Sequence, residues 1–462
     1  MKARRWPGLV AILLVLAGGA GCPGEPTPCL SGASPQRVEG HVFGVGTEAS
    51  FEVAANLVVT CSDVGNAPAA RPDSVTVEVK DPENRPVPAT AVLSSGGLGA
   101  TIRFTSNVEG RHHVIVSFSP VGSLQQFSVY FLPDRRGEAI LASLPGFASC
   151  PHLDRTTKGT WVCGQLTRRE SDTQARTLGT SVSTTVVAGD VVWAVETNRV
   201  LRYMDTGTGP LELTGTAPYV PGTRPGVGYP GPHGRLATPD ELVVLSDSLL
   251  HRFTFTGSDG IATAPTTAWL RSNVLINFGN DAVGALLVRA GSRLLLVSVL
   301  QDSRTFTART EACPYEAGTG GAYLRVTSED CHTLVGLPVG YEDGVVWTLT
   351  SETPGASLPM DTLHRFAVVG GTLEETGAVA LEGQLVINAP LLRPGPVLPT
   401  LSTLGTFTPF VIPRWNAGTG RVELELAPMQ PFTDVPHVGE RFIWVNTSSG
   451  SGLVVYSRAS TR

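Results

Sequence analysis

Hairpin wording that returns along the C-terminal two-thirds of the chain constrains the fold more than any other feature. Asp190 is followed by an apolar run, Val191-Val192-Trp193-Ala194, and a polar turn leads into a second strand, Val200-Leu201-Arg202-Tyr203. The run returns as Asp240-Glu241-Leu242-Val243-Val244, as Asp343-Gly344-Val345-Val346-Trp347-Thr348, and as Glu440-Arg441-Phe442-Ile443-Trp444-Val445. The strands that follow also agree, because Leu250-His251-Arg252-Phe253 and Leu363-His364-Arg365-Phe366 share one wording. A weaker copy spans Ala285–Leu300 around the turn Ala290-Gly291-Ser292. Short β-rich runs bounded by Gly, Asp, Ser and Thr are hairpin signals.

Spacing turns these hairpins into a repeat. Trp193 and Val244 are 51 residues apart, and Trp347 and Trp444 are 97 apart, or two units. Propeller blades take about 40–50 residues each. A lone four-stranded blade leaves both faces wet, so blades pack around an axis and closure protects their edges. The pattern predicts an all-β chain with a six- or seven-bladed β-propeller over 138–462. Its first unit covers 138–180 and contains the strand Trp161–Leu166. Later units centre on Trp193, Val244, Gly284–Val297, Trp347, Phe407–Ile412 and Trp444. The last unit ends soon after Leu453–Tyr456, so the ring is expected to borrow a strand from 138–145. The competing reading is a pair of β-sandwiches with look-alike hairpins.

Composition agrees with an all-β chain: 52 glycines and 35 prolines punctuate 462 residues, and charged residues are only 16 %. The strong preference for Arg over Lys, with Lys only at 2, 80 and 158, reads as genome composition rather than function. Residues 1–21 read as a signal peptide, with Lys2, Arg4 and Arg5 ahead of the apolar Leu9–Leu16. That run is too short to span a bilayer. Removing its three cations takes the net charge from −6 to −9, which argues against nucleic acid or an anionic membrane surface as partner.

The segment ends Leu16-Ala17-Gly18-Gly19-Ala20-Gly21-Cys22, which resembles the lipobox of bacterial lipoproteins. The family favours Leu where Gly19 stands. The resemblance implies a diacylated Cys22, a membrane contact by lipid anchor only, and the outer membrane, since Pro23 is not the retention aspartate. Two or three acyl chains, at about 0.8 kcal/mol per buried methylene, give stable anchoring. Without lipidation the chain would be secreted with one free thiol. Residues 22–36 form a Pro/Ser/Gly tether. Setting Cys22 aside leaves Cys29, Cys61, Cys150, Cys163, Cys313 and Cys331, an even number suited to an oxidising compartment. Six cysteines allow about fifteen pairings. Loop length favours sequence neighbours: Cys29–Cys61, Cys150–Cys163 and Cys313–Cys331.

Residues 37–133 read as a β-sandwich, with strands at Val38–Val42, Ala49–Thr60, Ser74–Val79, Ala100–Thr105, His113–Phe118 and Phe127–Phe131. Ala100-Thr101-Ile102-Arg103-Phe104-Thr105, then Glu109-Gly110-Arg111-His112-His113-Val114-Ile115-Val116, resembles the Ig-like repeats of filamin and bacterial surface proteins. That resemblance implies a spacer or adhesion role and no chemistry. Pro133–Gly137 is the linker.

Chemical motifs are sparse. Gly226-Val227-Gly228-Tyr229-Pro230-Gly231 fits G-x-G-x-x-G, but prolines 221, 225, 230 and 232 deny it the helix that would hold a phosphate. The loop 217–235 could line a ligand mouth with Tyr219, Arg224, Tyr229, His233 and Arg235, or be a surface spacer. His251 and His364 occupy one repeat position, which reads as architecture rather than a metal pair. Cys331-His332 and His112-His113 lack further ligands at zinc spacing. Repeated Trp residues on strands are blade core more often than sugar platforms. No WD40, kelch or sialidase signature is present. The expectation is therefore no catalytic residue, no metal and no cofactor. The function expected is a non-enzymatic envelope lipoprotein whose propeller face binds protein or glycan, with the Ig-like domain as spacer. The alternative is a secreted hydrolase or lyase with its site in the central funnel, which clustered carboxylates there would favour.

Overall fold

The computed structural model describes residues 42–458, apart from 56–71, 98, 120–122, 136–137, 148–149, 151, 180, 222–233, 247–248, 258–259, 270–284, 302–307, 327–330, 343, 352–360, 382–392, 395–397, 400–409, 429–435, 440 and 448–450. Among the described residues the regular structure is β-strand, with one short 3-10 turn at Thr319–Gly321. Cys22, Cys29, Arg224, Tyr229 and His233 lie outside the described residues, as does Cys61.

The chain divides into two compact units. One comprises residues 49–105 and 113–127 of the described chain, and the other 38–48, 106–112 and 128–462. The N-terminal strands form two sheets. The first runs Val42–Gly44, Ser123–Leu132, Gly110–Ser119, Ser74–Lys80, Pro86–Val87; the second runs Glu48–Ala54, Gly99–Thr105, Ala89–Leu93. Alternation shows which faces are covered. Ala49, Phe51 and Val53 are buried between exposed neighbours, and Ile102 and Phe104 and Val114, Val116 and Phe118 are buried between exposed or half-buried ones. This is the period-2 pattern of a sheet with one dry face. Phe51 meets Phe104 and Phe127 edge-on, with centroids 6.2 Å and 5.5 Å apart. Gly110 opens its strand at φ 116°, a value that side-chain-bearing residues avoid, which explains the Gly in Glu109-Gly110-Arg111. The strand Ala89–Leu93 is not among the strands expected from the sequence.

The second unit contains seven successive antiparallel sheets among the described residues. The first holds Leu153–Arg155, Thr160–Cys163, Leu166–Arg169 and Arg176–Thr177; the second holds Val182–Ala188, Val191–Glu196, Arg199–Met204 and Glu212–Pro218. The third holds Gly234–Thr238, Glu241–Leu245, Leu249–Phe255 and Ile261–Thr263; the fourth holds Ala285–Ala290, Arg293–Gln301, Ala308–Ala317 and Tyr323–Arg325. The fifth holds Leu337–Glu342, Val345–Ser351, Asp361–Val369 and Thr372–Leu381; the sixth holds Leu398–Pro399, Phe410–Asn416 and Arg421–Leu426. The seventh holds His437–Val438, Phe442–Asn446 and Gly452–Ser457, completed by Ala142–Pro145 from the start of the unit. That strand lies in the segment expected to close the ring. Its register sets Leu144 against Leu453 and Ala142 against Val455.

Packing makes the order of sheets into a ring. Each central strand sends alternate residues to opposite faces, and each face meets the next sheet. Val192 and Ala194 pack with Val162 of the first sheet, while Trp193 and Val195 pack with Leu242, Val244 and Phe253 of the third. Val243 and Leu245 pack with Leu287 and Leu296, and Val288 and Val297 with Val346 and Phe366. Trp347 and Leu363 pack with Val411 and Leu424, and Ile412 with Ile443 and Val445. Trp444 and Val455 then pack with Leu153 and Trp161, back at the first sheet. Both faces of a central strand are therefore dry, so Val191–Glu196 and Glu241–Leu245 are buried throughout. This is why the repeat reads as unbroken apolar runs rather than alternation. Trp161, Trp193, Trp347 and Trp444 are all fully buried, as blade core requires. Two disulfides, Cys150–Cys163 and Cys313–Cys331, reinforce the first and fourth sheets and are consistent with an extracytoplasmic protein. No helix among the described residues is long and apolar enough to cross a membrane.

Truncating a core side chain at the closure should be costly. Leu144→Ala is expected to destabilise the protein by about 2–5 kcal/mol. Chemical denaturation should show the loss, and an unchanged midpoint would contradict the closing role of this strand.

Candidate functional site

Several carboxylates and histidines earn their burial by joining sheets. Glu241 of the third sheet accepts from Arg252 Nε at 2.6 Å, from Arg289 of the fourth sheet at 2.6 Å, and from the Tyr323 hydroxyl at 3.1 Å. Asp205, fully buried, accepts from Arg169 and, at 2.6 Å, from Thr156, both of the first sheet's side. Burial alone would raise both carboxyls; the hydrogen bonds and cations outweigh it and hold them below their ordinary values. His251 packs between Tyr219 and Phe253 and shares a hydrogen bond with Ser246 Oγ at 3.1 Å. Burial pushes its pKa down to about 4. The equivalent His364 lies 2.9 Å from Thr350 Oγ1 and 2.9 Å from Glu375 Oε1. Neither histidine is brought to the other, and each has a local structural partner. Glu311, Cys313 and Cys331 also converge, yet both sulfurs are spent in a disulfide and offer no thiolate to a metal.

The inner strands leave a different kind of place. The first strands of the first, second, third, fourth and fifth sheets, with the start of the seventh, surround one cavity of about 250 Å³. Its lining includes His152 and Asp154, Thr185, Arg235, Leu287, Tyr341 and Arg441. Such convergence is forced by the architecture, since each inner strand turns one edge to the axis. Arg441 donates to Asp154 Oδ1 and to the Arg155 carbonyl. Both partners of that ion pair are over a third exposed, which places them where the cavity meets solvent. Arg235 is partly buried, and its Nη1 donates to Thr184 Oγ1. Burial works against its charge, and Tyr341 and Asp154 offset this only in part. His152 is held well below the usual histidine value by burial first, then by the charges of Arg235 and His437. It is therefore neutral at neutral pH, with a ring able to offer one donor and one acceptor.

Of the loop residues singled out in the sequence, Arg235 faces this cavity, whereas Tyr219 is buried in the core between the second and third sheets. His152, Asp154, Tyr341 and Arg441 carried no motif. The only signal available was position, since each falls on or beside an inner strand of the repeat.

No family model matches the sequence, and no curated protein matches it. Among solved structures, a Lactobacillus plantarum protein aligns at 13 % identity over 76 % of this chain and 100 % of its own, with a TM-score of 0.36. The N-terminal domain of Nup159 aligns at 14 % identity over 70 % of this chain and 97 % of its own, with a TM-score of 0.33. A periplasmic gluconolactonase of Pseudomonas aeruginosa aligns at 13 % identity over 70 % and 87 %, with a TM-score of 0.31. Likenesses this distant carry no function across.

Acid should weaken the protein in two stages. The folded state disfavours protonating His251 and His152, so their contribution is whole above about pH 6.5 and declines as pH falls toward their lowered values. Asp205 and Glu241 contribute fully above the ordinary carboxylate range, and this is lost as pH falls through their lowered values. Melting temperatures between pH 7 and 3 should follow that course, and His251→Gln should flatten the upper stage.

Proposed function

We propose that the chain is a non-enzymatic binding protein of a bacterial envelope. In this reading Cys22 carries the lipid, residues 37–133 form an Ig-like spacer, and 138–462 form a seven-bladed propeller whose axial end takes a glycan or protein group. One observation supports it over the hydrolase or lyase reading. Among the described residues the axial cavity is lined by one carboxylate, Asp154, and Arg441 already holds it. Glycoside hydrolysis calls on two carboxyl groups flanking the bond. General-base chemistry calls on a group poised near the working pH; His152 is held well below its ordinary value. What the cavity does offer is cationic and neutral hydrogen-bonding groups on an apolar frame, which suits recognition.

Two measurements test this. The mature protein from native membranes should have a mass carrying a lipid increment at Cys22, and Cys22→Ser should release it from the membrane. The purified protein should leave a panel of lactones, esters and acidic polysaccharides intact, while binding envelope glycans or proteins. Turnover of any of these would overturn the non-enzymatic reading.

A further inference from the structure

We infer that the axial cavity binds a small organic monocarboxylate, gripped by the guanidinium of Arg235. The inference rests on the binding reading above and names the ligand class. Several arginines of this unit have a carboxylate as counter-charge. Arg135 meets Glu425 at 2.8 Å, Arg169 meets Asp205, and Arg252 and Arg289 share Glu241. Arg235 differs. Among the described residues it has no carboxylate at ion-pair distance, and its hydrogen bond goes to the neutral hydroxyl of Thr184. A guanidinium does not give up its proton in a protein, so the charge stays and is only partly balanced. Enclosing such a charge is costly unless something pairs with it. Its side chain belongs to the lining of the cavity.

Charge and size narrow the partner. Among the described residues of the lining, Arg441 and Asp154 cancel, His152 is neutral, and Arg235 leaves one positive charge over. A monoanion balances that; a phosphate dianion overshoots it. The planar fork of arginine matches a carboxylate with two parallel hydrogen bonds. Leu153, Val187, Leu236 and Leu287 supply an apolar wall, which suits a ligand with an organic body rather than a bare ion. At about 250 Å³ the space is smaller than a drug-sized site, so the body is a single ring or its equivalent. Tyr341 and Thr185 add hydroxyls to the lining. An acidic sugar and an aromatic acid share the chemistry that Arg235 reads.

Titration calorimetry on the purified full-length mature chain tests this with galacturonate against galactose and benzoate against benzamide, and with inorganic phosphate. At least one acid should bind saturably, and its neutral counterpart should bind about tenfold or more weakly. Whichever acid binds tells sugar from aromatic. Arg235→Gln should abolish that binding. Arg235→Lys keeps the charge but loses the fork and should weaken it by about tenfold, which keeps the test open should the Gln variant fail to fold. The inference falls if neither acid binds the native chain, if phosphate binds as tightly as the better acid, or if Arg235→Lys binds as the native chain does. Turnover of a bound acid's ester or lactone would instead sink the non-enzymatic reading and leave the carboxylate grip standing.

Discussion

A central strand that is apolar on both faces must be covered on both faces, and the rest of the second unit follows from that. Val191–Glu196 cannot be kept dry by one neighbour, so it takes the first sheet on one side and the third on the other. The same need passes from sheet to sheet until Trp444 and Val455 meet Trp161 and Leu153. Burial of each large side chain contributes about 1.5–3 kcal/mol, so the stabilisation is spread over seven interfaces rather than held in one core.

Apolar faces alone would let sheets slide, and polar contacts set their relative placement. Arg202, Arg252 and Arg365 occupy one register, opposite Trp193, Val243 and Trp347. Each guanidinium lies over an aromatic ring: Arg202 over Phe255 of the next sheet at 3.7 Å, Arg252 over Tyr323 at 4.9 Å, and Arg365 over Trp415 at 4.6 Å. In the second and fifth sheets the strand pairing shifts beside the arginine, and Thr214-Gly215 and Thr376-Gly377 face it. The threonine hydroxyls accept from Arg202 and Arg365, both at 2.7 Å. The glycines leave room for the neighbour: a Cβ would stand 2.8 Å from Ile261 at Gly215 and 2.8 Å from Trp415 at Gly377. Trp193 and Trp444 also reach across, donating to the carbonyls of Thr238 and Cys150 at 2.9 Å.

The repeat was legible because covering both faces of a strand imposes apolar runs, and those survive divergence. Most of the sheets could be placed from that wording, which left six or seven open, and the source of the closing strand from where the last unit ends. The equivalence of His251 and His364 was legible as architecture for the same reason. The Arg-Thr-Gly arrangement was not, because Thr214-Gly215 looks like any turn until Phe255 and Ile261 are beside it. The cavity was hidden more deeply. Its lining comes from six sheets, so Arg235 sits with His152 and Tyr341 only after the ring has formed. No spacing along the chain encodes that meeting. The strand Ala89–Leu93 was missed because its five residues carry no sustained alternation of apolar and polar side chains, so nothing in the pattern marks a covered face.

The closing strand also sets a timetable. Ala142–Pro145 leaves the ribosome early, but Gly452–Ser457, its hydrogen-bonding partner, comes almost last. Until then Leu144 lacks the strand it pairs with, and the first sheet keeps one greasy side bare. The toroid therefore cannot shut around a half-made polypeptide. A chain threaded through a narrow pore as it is made would arrive on the far side still open, and would seal only there.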